Sequence, residues 1–116
     1  MGTVTIFHNP RCSKSRSSLA ILNEQGLEPE IRLYLENPPS AEELRSILAM
    51  LDISARDLLR KGESDYKALN LANPDVSETE IIKAMTEYPK LIERPIVIKD
   101  GKAAIGRPPE IILELI

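Results

Sequence analysis

Cysteine is almost absent from this chain: Cys12 is the only one in 116 residues. No internal disulfide can form, which fits a reducing compartment. There is also a single histidine, His8, and one histidine with one cysteine does not make a metal site, so no metal is expected. No run approaches the roughly 20 apolar residues of a membrane span. Thr3-Val4-Thr5-Ile6-Phe7 is too short for a secretory core, so the expected location is cytoplasmic, away from membranes. The formal net charge of −3 excludes a globally basic surface for nucleic acid, and any anion site must be local. Internal repeats, low-complexity tracts and clear domain boundaries are missing as well. With 42% hydrophobic and 28% charged residues, the chain reads as one soluble domain over residues 1–116 that can bury a core without staples; a monomer is expected.

What is present is concentrated in His8-Asn9-Pro10-Arg11-Cys12-Ser13-Lys14-Ser15-Arg16, where no acidic residue occurs between Ile6 and Asn23. The cysteine follows an expected strand and stands at the mouth of an expected helix. Helix N-terminal amides and nearby cations stabilise negative sulfur, and such settings bring a thiol from about 8.5 down to roughly 3.5–7.5. Arg11, Lys14 and Arg16 supply the local positive charge. Cys12 and Ser15 form a C-x-x-S arrangement in which a hydroxyl, able to donate to sulfur but not to form a disulfide, replaces a second thiol. Any covalent intermediate on Cys12 therefore needs an external thiol for its discharge. His8 near Cys12 could stabilise a thiolate, shuttle protons or serve packing alone.

Periodicity gives the elements. Thr3 to Phe7 reads as a β-branched strand, followed by a helix carrying Leu19, Ala20 and Leu22 that stops at Gly26. Glu30 to Leu35 alternates Ile31, Leu33 and Leu35 against Glu30, Arg32 and Tyr34 as a second strand, and the helical connection makes the pair parallel. Ser40 and Glu43 form a capping-box pattern before Leu44, Ile47, Leu48 and Leu51. Short helices are expected at Ala55 to Leu59 and Tyr66 to Leu71, and a further one is capped by Ser77 and Glu80, burying Ile81, Met85 and Tyr88. Ile96-Val97-Ile98 and Lys102 to Ile105 flank an Asp-Gly hairpin turn, and Pro108-Pro109 opens a last helix, Glu110 to Leu115.

This order of βαβ, helices and ββα resembles the thioredoxin fold. It implies an α/β architecture with βαβ and ββα halves around a mixed four-stranded sheet and an all-helical insertion at about 40–90. The motifs around His8 to Arg16, with Arg60, Glu93-Arg94-Pro95 and Gly106-Arg107-Pro108, resemble the glutathione- and glutaredoxin-coupled arsenate reductase family over essentially the whole chain. The resemblance implies that Cys12 is the catalytic thiol and that Arg60, Arg94 and Arg107 converge near it to hold arsenate. Arginine suits that task because its guanidinium stays charged and makes paired, directional hydrogen bonds to an oxyanion. It also implies a cis Arg94–Pro95 bond facing Cys12, with His8 and Ser15 in support. No tightly bound cofactor is implied; glutathione is the co-substrate, glutaredoxin the protein partner and arsenite the product. Longer members of that family are expected to continue past the position of Ile116. Taken alone, the residues leave other readings: Arg60 as a helix C-terminal charge, Arg94 as a surface partner of Glu93, and Arg107 as an exposed loop residue. Two further functions fit the fold: a glutathione-dependent thiol transferase, and a non-catalytic transcriptional regulator that binds RNA polymerase. The second of these typically uses two cysteines as a switch, an option Ser15 removes.

Overall fold

The computed structural model describes residues 4–116, which divide into two compact units, one formed by the chain up to residue 37 together with 94–116 and one by residues 38–93. Thr3, expected in the first strand, lies outside the described residues. The discontinuous unit holds a four-stranded sheet in the order β2-β1-β3-β4. Strand β1 (Val4–Phe7) runs parallel to β2 (Glu30–Arg32) and antiparallel to β3 (Ile96–Lys99), which pairs antiparallel with β4 (Lys102–Ile105). Helix α1 (Ser13–Glu24) makes the βαβ crossover, and Val4, Ile6, Leu22, Val97 and Ile112 form the core beneath it. This is the mixed α/β sheet of a thioredoxin-like fold.

Strand β2 ends three residues earlier than the alternation predicts, and the alternation has the wrong sense. Ile31 and Leu33 are exposed while Tyr34 is fully buried. The chain turns after Arg32, with Asn37 N–H donating to the Leu33 carbonyl at 2.9 Å. That turn lets the Tyr34 ring stack on Phe7 at a centroid separation of 6.3 Å. The stacked pair turns Tyr34 inward and leaves Ile31 and Leu33 on the exposed side of this edge segment. On α1 the residues with the deepest burial are Ser15, Ser18 and Leu22, and Ala20 is exposed. A 3-10 helix over Pro109–Glu114 replaces the last α-helix and buries Ile112.

The second unit is all helical apart from an isolated antiparallel bridge, Leu59 to Ile92. Helix α2 (Ala41–Leu51) opens with a complete capping box between Ser40 and Glu43 and buries Leu44, Ile47 and Leu48, with Leu51 only half-buried. Helix α3 (Ala55–Leu58) repeats the device with Ser54 and Asp57. Helix α4 (Ser64–Ala68) starts two residues before the expected Tyr66 and ends before Leu71, and α5 (Glu78–Glu87) follows its Ser77 cap. Ile81 and Met85 are buried on α5, whereas Tyr88 is exposed because the chain leaves the helix there for a 3-10 turn at Pro89–Leu91. No helix among the described residues is long and apolar enough to cross a membrane.

Candidate active site

Cys12 occupies the N-cap position of α1, in extended backbone conformation, and its side chain is half-buried. The loop from β1 to α1 fixes it through Asn9. The Cys12 N–H donates to the Asn9 carbonyl at 3.0 Å, and the Arg11 N–H donates to Asn9 Oδ1 at 3.0 Å. Its own carbonyl accepts the Arg16 N–H at 3.0 Å and so begins the helix.

The sulfur sits among donors. Partial burial by itself pushes the Cys12 thiol up, but the Ser15 backbone N–H, the Arg94 guanidinium and the Lys14 backbone N–H together outweigh it and hold the thiol below its ordinary value. Arg107 Nη2 reaches Sγ at 3.7 Å. Arg107 is itself aimed by its Nε, which donates to the Arg94 carbonyl at 2.7 Å, so the two arginines are fixed as a pair. The Arg94–Pro95 peptide is cis, and so is Arg107–Pro108. Amides, guanidinium groups and a thiol held below its ordinary value thus face one spot, an arrangement that can bind a tetrahedral oxyanion and attack its central atom.

Ser15 contributes differently from the expectation that its hydroxyl donates to sulfur. Its backbone N–H serves the sulfur, while its fully buried hydroxyl accepts the Asn9 N–H at 3.0 Å and lies 2.6 Å from His8 Nδ1. A neutral His8 with its proton on Nε2 accepts the Ser15 O–H at Nδ1 and completes this bonding. Burial, reinforced by the charge of Arg16, lowers the His8 pKa and favours that neutral ring. His8 therefore braces the loop through Ser15.

Arg60 belongs to the helical unit, where its Nη1 meets Glu93 Oε1 at 2.6 Å and its Nε lies 3.5 Å from Glu63 Oε1. The backbone pairs as well: Arg60 N–H donates to the Leu91 carbonyl at 2.7 Å, and Glu93 N–H to the Leu58 carbonyl at 2.9 Å. Glu93 thus pairs with Arg60, a residue 33 positions earlier in the chain. Asn9 is the site residue that sequence reasoning left without a role. Its signal was there, since an asparagine before proline favours a turn in which its side chain accepts the N–H two residues on.

Comparison with known proteins follows the same residues. The ArsC family matches residues 7–115. The uncharacterized protein YfgD of Escherichia coli strain K12 is 56% identical over 114 residues, covering 97% of this chain and 96% of that protein. A Haemophilus influenzae protein named arsenate reductase is 50% identical over 115 residues, covering 98% of this chain and 99% of its own length. The solved structure of arsenate reductase from Vibrio cholerae superposes with a TM-score of 0.96 at 48% identity, covering 98% of each chain.

Proposed function

Because this chain belongs to the ArsC family, we propose that it is a cytoplasmic arsenate reductase in which Cys12 is the nucleophile. The observation that carries this reading is the placement of Arg94 and Arg107 on the sulfur of an N-cap cysteine whose thiol is held below its ordinary value. Arsenate binds with its oxygens on the two guanidinium groups and the first-turn amides of α1. The Cys12 thiolate attacks arsenic, an oxygen leaves as water after taking up protons, and the arginines neutralise the charge that develops. A Cys12–S–As(V) adduct results.

An external thiol must finish the cycle because Ser15 provides none. Glutathione sulfur then displaces a second arsenic oxygen, which leaves as water and takes the thiol proton, giving a Cys12–S–As(V)–S–glutathione species. A glutaredoxin thiolate then takes that glutathionyl sulfur as a mixed disulfide, leaving the electron pair of the As–S bond on arsenic. Two thiols become one disulfide, and As(V) becomes As(III). Hydrolysis of the remaining Cys12–As bond releases arsenite and regenerates the thiol. Phosphate shares the shape and charge of arsenate but lacks the accessible reduction, so it competes for the site without turning over.

The test is arsenate-dependent NADPH oxidation coupled through glutathione, glutaredoxin and glutathione reductase. Turnover is expected in the wild type and absent in Cys12→Ser; a Cys12→Ser variant that retains it would end this reading. Arg94→Ala and Arg107→Ala separate it from a thiol transferase: if the arginines serve the oxyanion, both lose arsenate turnover far more than activity on a mixed disulfide, which falls only as far as the weaker thiolate stabilisation requires.

A further inference from the structure

Gly106 has no room for a side chain. A Cβ placed there would overlap Ser18 Oγ and lie 2.8 Å from Pro95 Cγ. Its φ is not in the left-handed region, so the requirement is one of space alone. Ser18 stands on α1, six residues after Cys12, and is fully buried with a hydroxyl that has no hydrogen-bond partner. That hydroxyl gains nothing from its place as a polar group; it fills the gap in front of Gly106. On the other side, the Gly106 N–H donates to the Pro95 carbonyl at 2.9 Å, locking the strand end to the residue after Arg94. Gly106 also immediately precedes Arg107, whose guanidinium reaches both the Arg94 carbonyl and the Cys12 sulfur.

We propose that the contact of Gly106 with Ser18 and Pro95 is the spacer that sets how far α1, and with it Cys12, stands from the Arg94 and Arg107 segments. Gly106 is a positioning residue: it does not touch the sulfur and acts through the arginines, while Ser18 only occupies the space that a side chain at 106 would need. The mechanical reason is that α1 is a rigid rod starting at Cys12. Anything that pushes the helix outward at Ser18 tilts its first turn and lengthens contacts that are already at the limit, such as the 3.7 Å from Arg107 Nη2 to Sγ. The groups facing the sulfur are cationic or neutral donors, namely Arg94, Arg107 and the Lys14 and Ser15 amides, and Arg11, Lys14 and Arg16 add positive charge along the same loop and first helical turn. Separation therefore weakens thiolate stabilisation. The inference rests on Cys12 being the reactive thiol and not on the identity of the substrate.

The experiment is the pH dependence of alkylation by iodoacetamide of Cys12, the only thiol in the chain, in wild type, Gly106→Ala, Ser18→Ala and the double variant. Gly106→Ala is expected to raise the apparent thiol pKa by about half to one unit, slowing alkylation below the pKa by roughly three- to tenfold. Ser18→Ala alone is expected to leave the profile in place. Combined with Gly106→Ala it should recover part of the loss, since the nearer clash is removed and the one with Pro95 stays. A folded Gly106→Ala with the wild-type profile overturns the proposal, as does a raised pKa that Ser18→Ala does not relieve. Should Gly106→Ala not fold, Ser18→Thr adds bulk to the same contact from the helix side, and an unshifted profile in that variant is equally decisive against it. Arsenate turnover is measured separately: normal thiol chemistry with no turnover would count against the proposed function and leave the spacer standing.

Discussion

His8 carries a pH dependence of its own. Burial and Arg16 lower its pKa below 6.5, so the folded protein holds the ring neutral at pH values where the unfolded chain has begun to protonate it. Between the folded and unfolded pKa values the unfolded state binds more protons, so stability rises with pH in that window; on acidification it falls from about 6.5 down to the folded value, and then levels. Because His8 is the only histidine, the effect can be isolated. Urea midpoints for wild type and His8→Gln between pH 7.5 and pH 5 should diverge in slope, with the wild type steeper; parallel slopes would mean that the ring titrates alike in both states. Cys12 acts in the same direction at higher pH. Its folded pKa is depressed, so the thiolate's contribution is fully present above the unfolded pKa and is lost as pH falls through the folded one. Residue chemistry of this kind was only partly legible. A cysteine amid Arg11, Lys14 and Arg16 announced a thiolate, but the groups that hold it are the Ser15 and Lys14 amides and Arg94. Backbone donors have no sequence signature beyond the helix start, and a partner near the other end of the chain has none.

At the scale of elements, local chemistry governed what could be read. The β3–β4 hairpin turns at Asp100 and Gly101, with φ of 52° and 78°, as an Asp-Gly pair between apolar runs demands. A Cβ at Gly101 would meet nothing within 4 Å, so the residue is there for its backbone freedom alone. Gly101→Ala should therefore cost about 1–2 kcal/mol, the penalty of a left-handed conformation for an L-residue, measurable as a lower urea midpoint with an unchanged m-value. A cost near zero would show that the turn relaxes to another type. Caps were legible for the same reason: Ser40 with Glu43, and Ser77 with Glu80, make their bonds within four residues. Strand β2 was not. Its exposed Ile31 and Leu33 and buried Tyr34 answer to Phe7 on the neighbouring strand, and no period within residues 30–35 contains that contact. The 3-10 turn over Pro109–Glu114 likewise depends on Ile112 reaching the core beside Leu22.

At the scale of the whole molecule, the sheet is built from both ends of the chain. Val4 pairs with Lys99 and Phe7 with Ile96, so the site exists only when the segment beginning at Arg94 has returned to β1. Arg94 and Arg107 reach Cys12 by this pairing, which is why their convergence could be anticipated from a resemblance covering the chain and not from spacing. Arg60 shows the converse, since its bonds to Glu93 and Glu63 close within residues 38–93. An oxyanion held by groups from both terminal segments binds the folded chain and not the unfolded one, so it must raise stability by mass action. At about 100 times its dissociation constant the gain is about 2.7 kcal/mol. For a chain of this size that corresponds to a rise in Tm of roughly 10 °C. Arsenate and phosphate should both produce a rise in Cys12→Ser, where no adduct can form, compared with chloride at equal ionic strength. Arg107→Ala should lose most of it. Equal melting temperatures in arsenate and chloride would show that no oxyanion rests on these arginines before chemistry begins. A rise undiminished in Arg107→Ala would place the bound anion elsewhere on the protein.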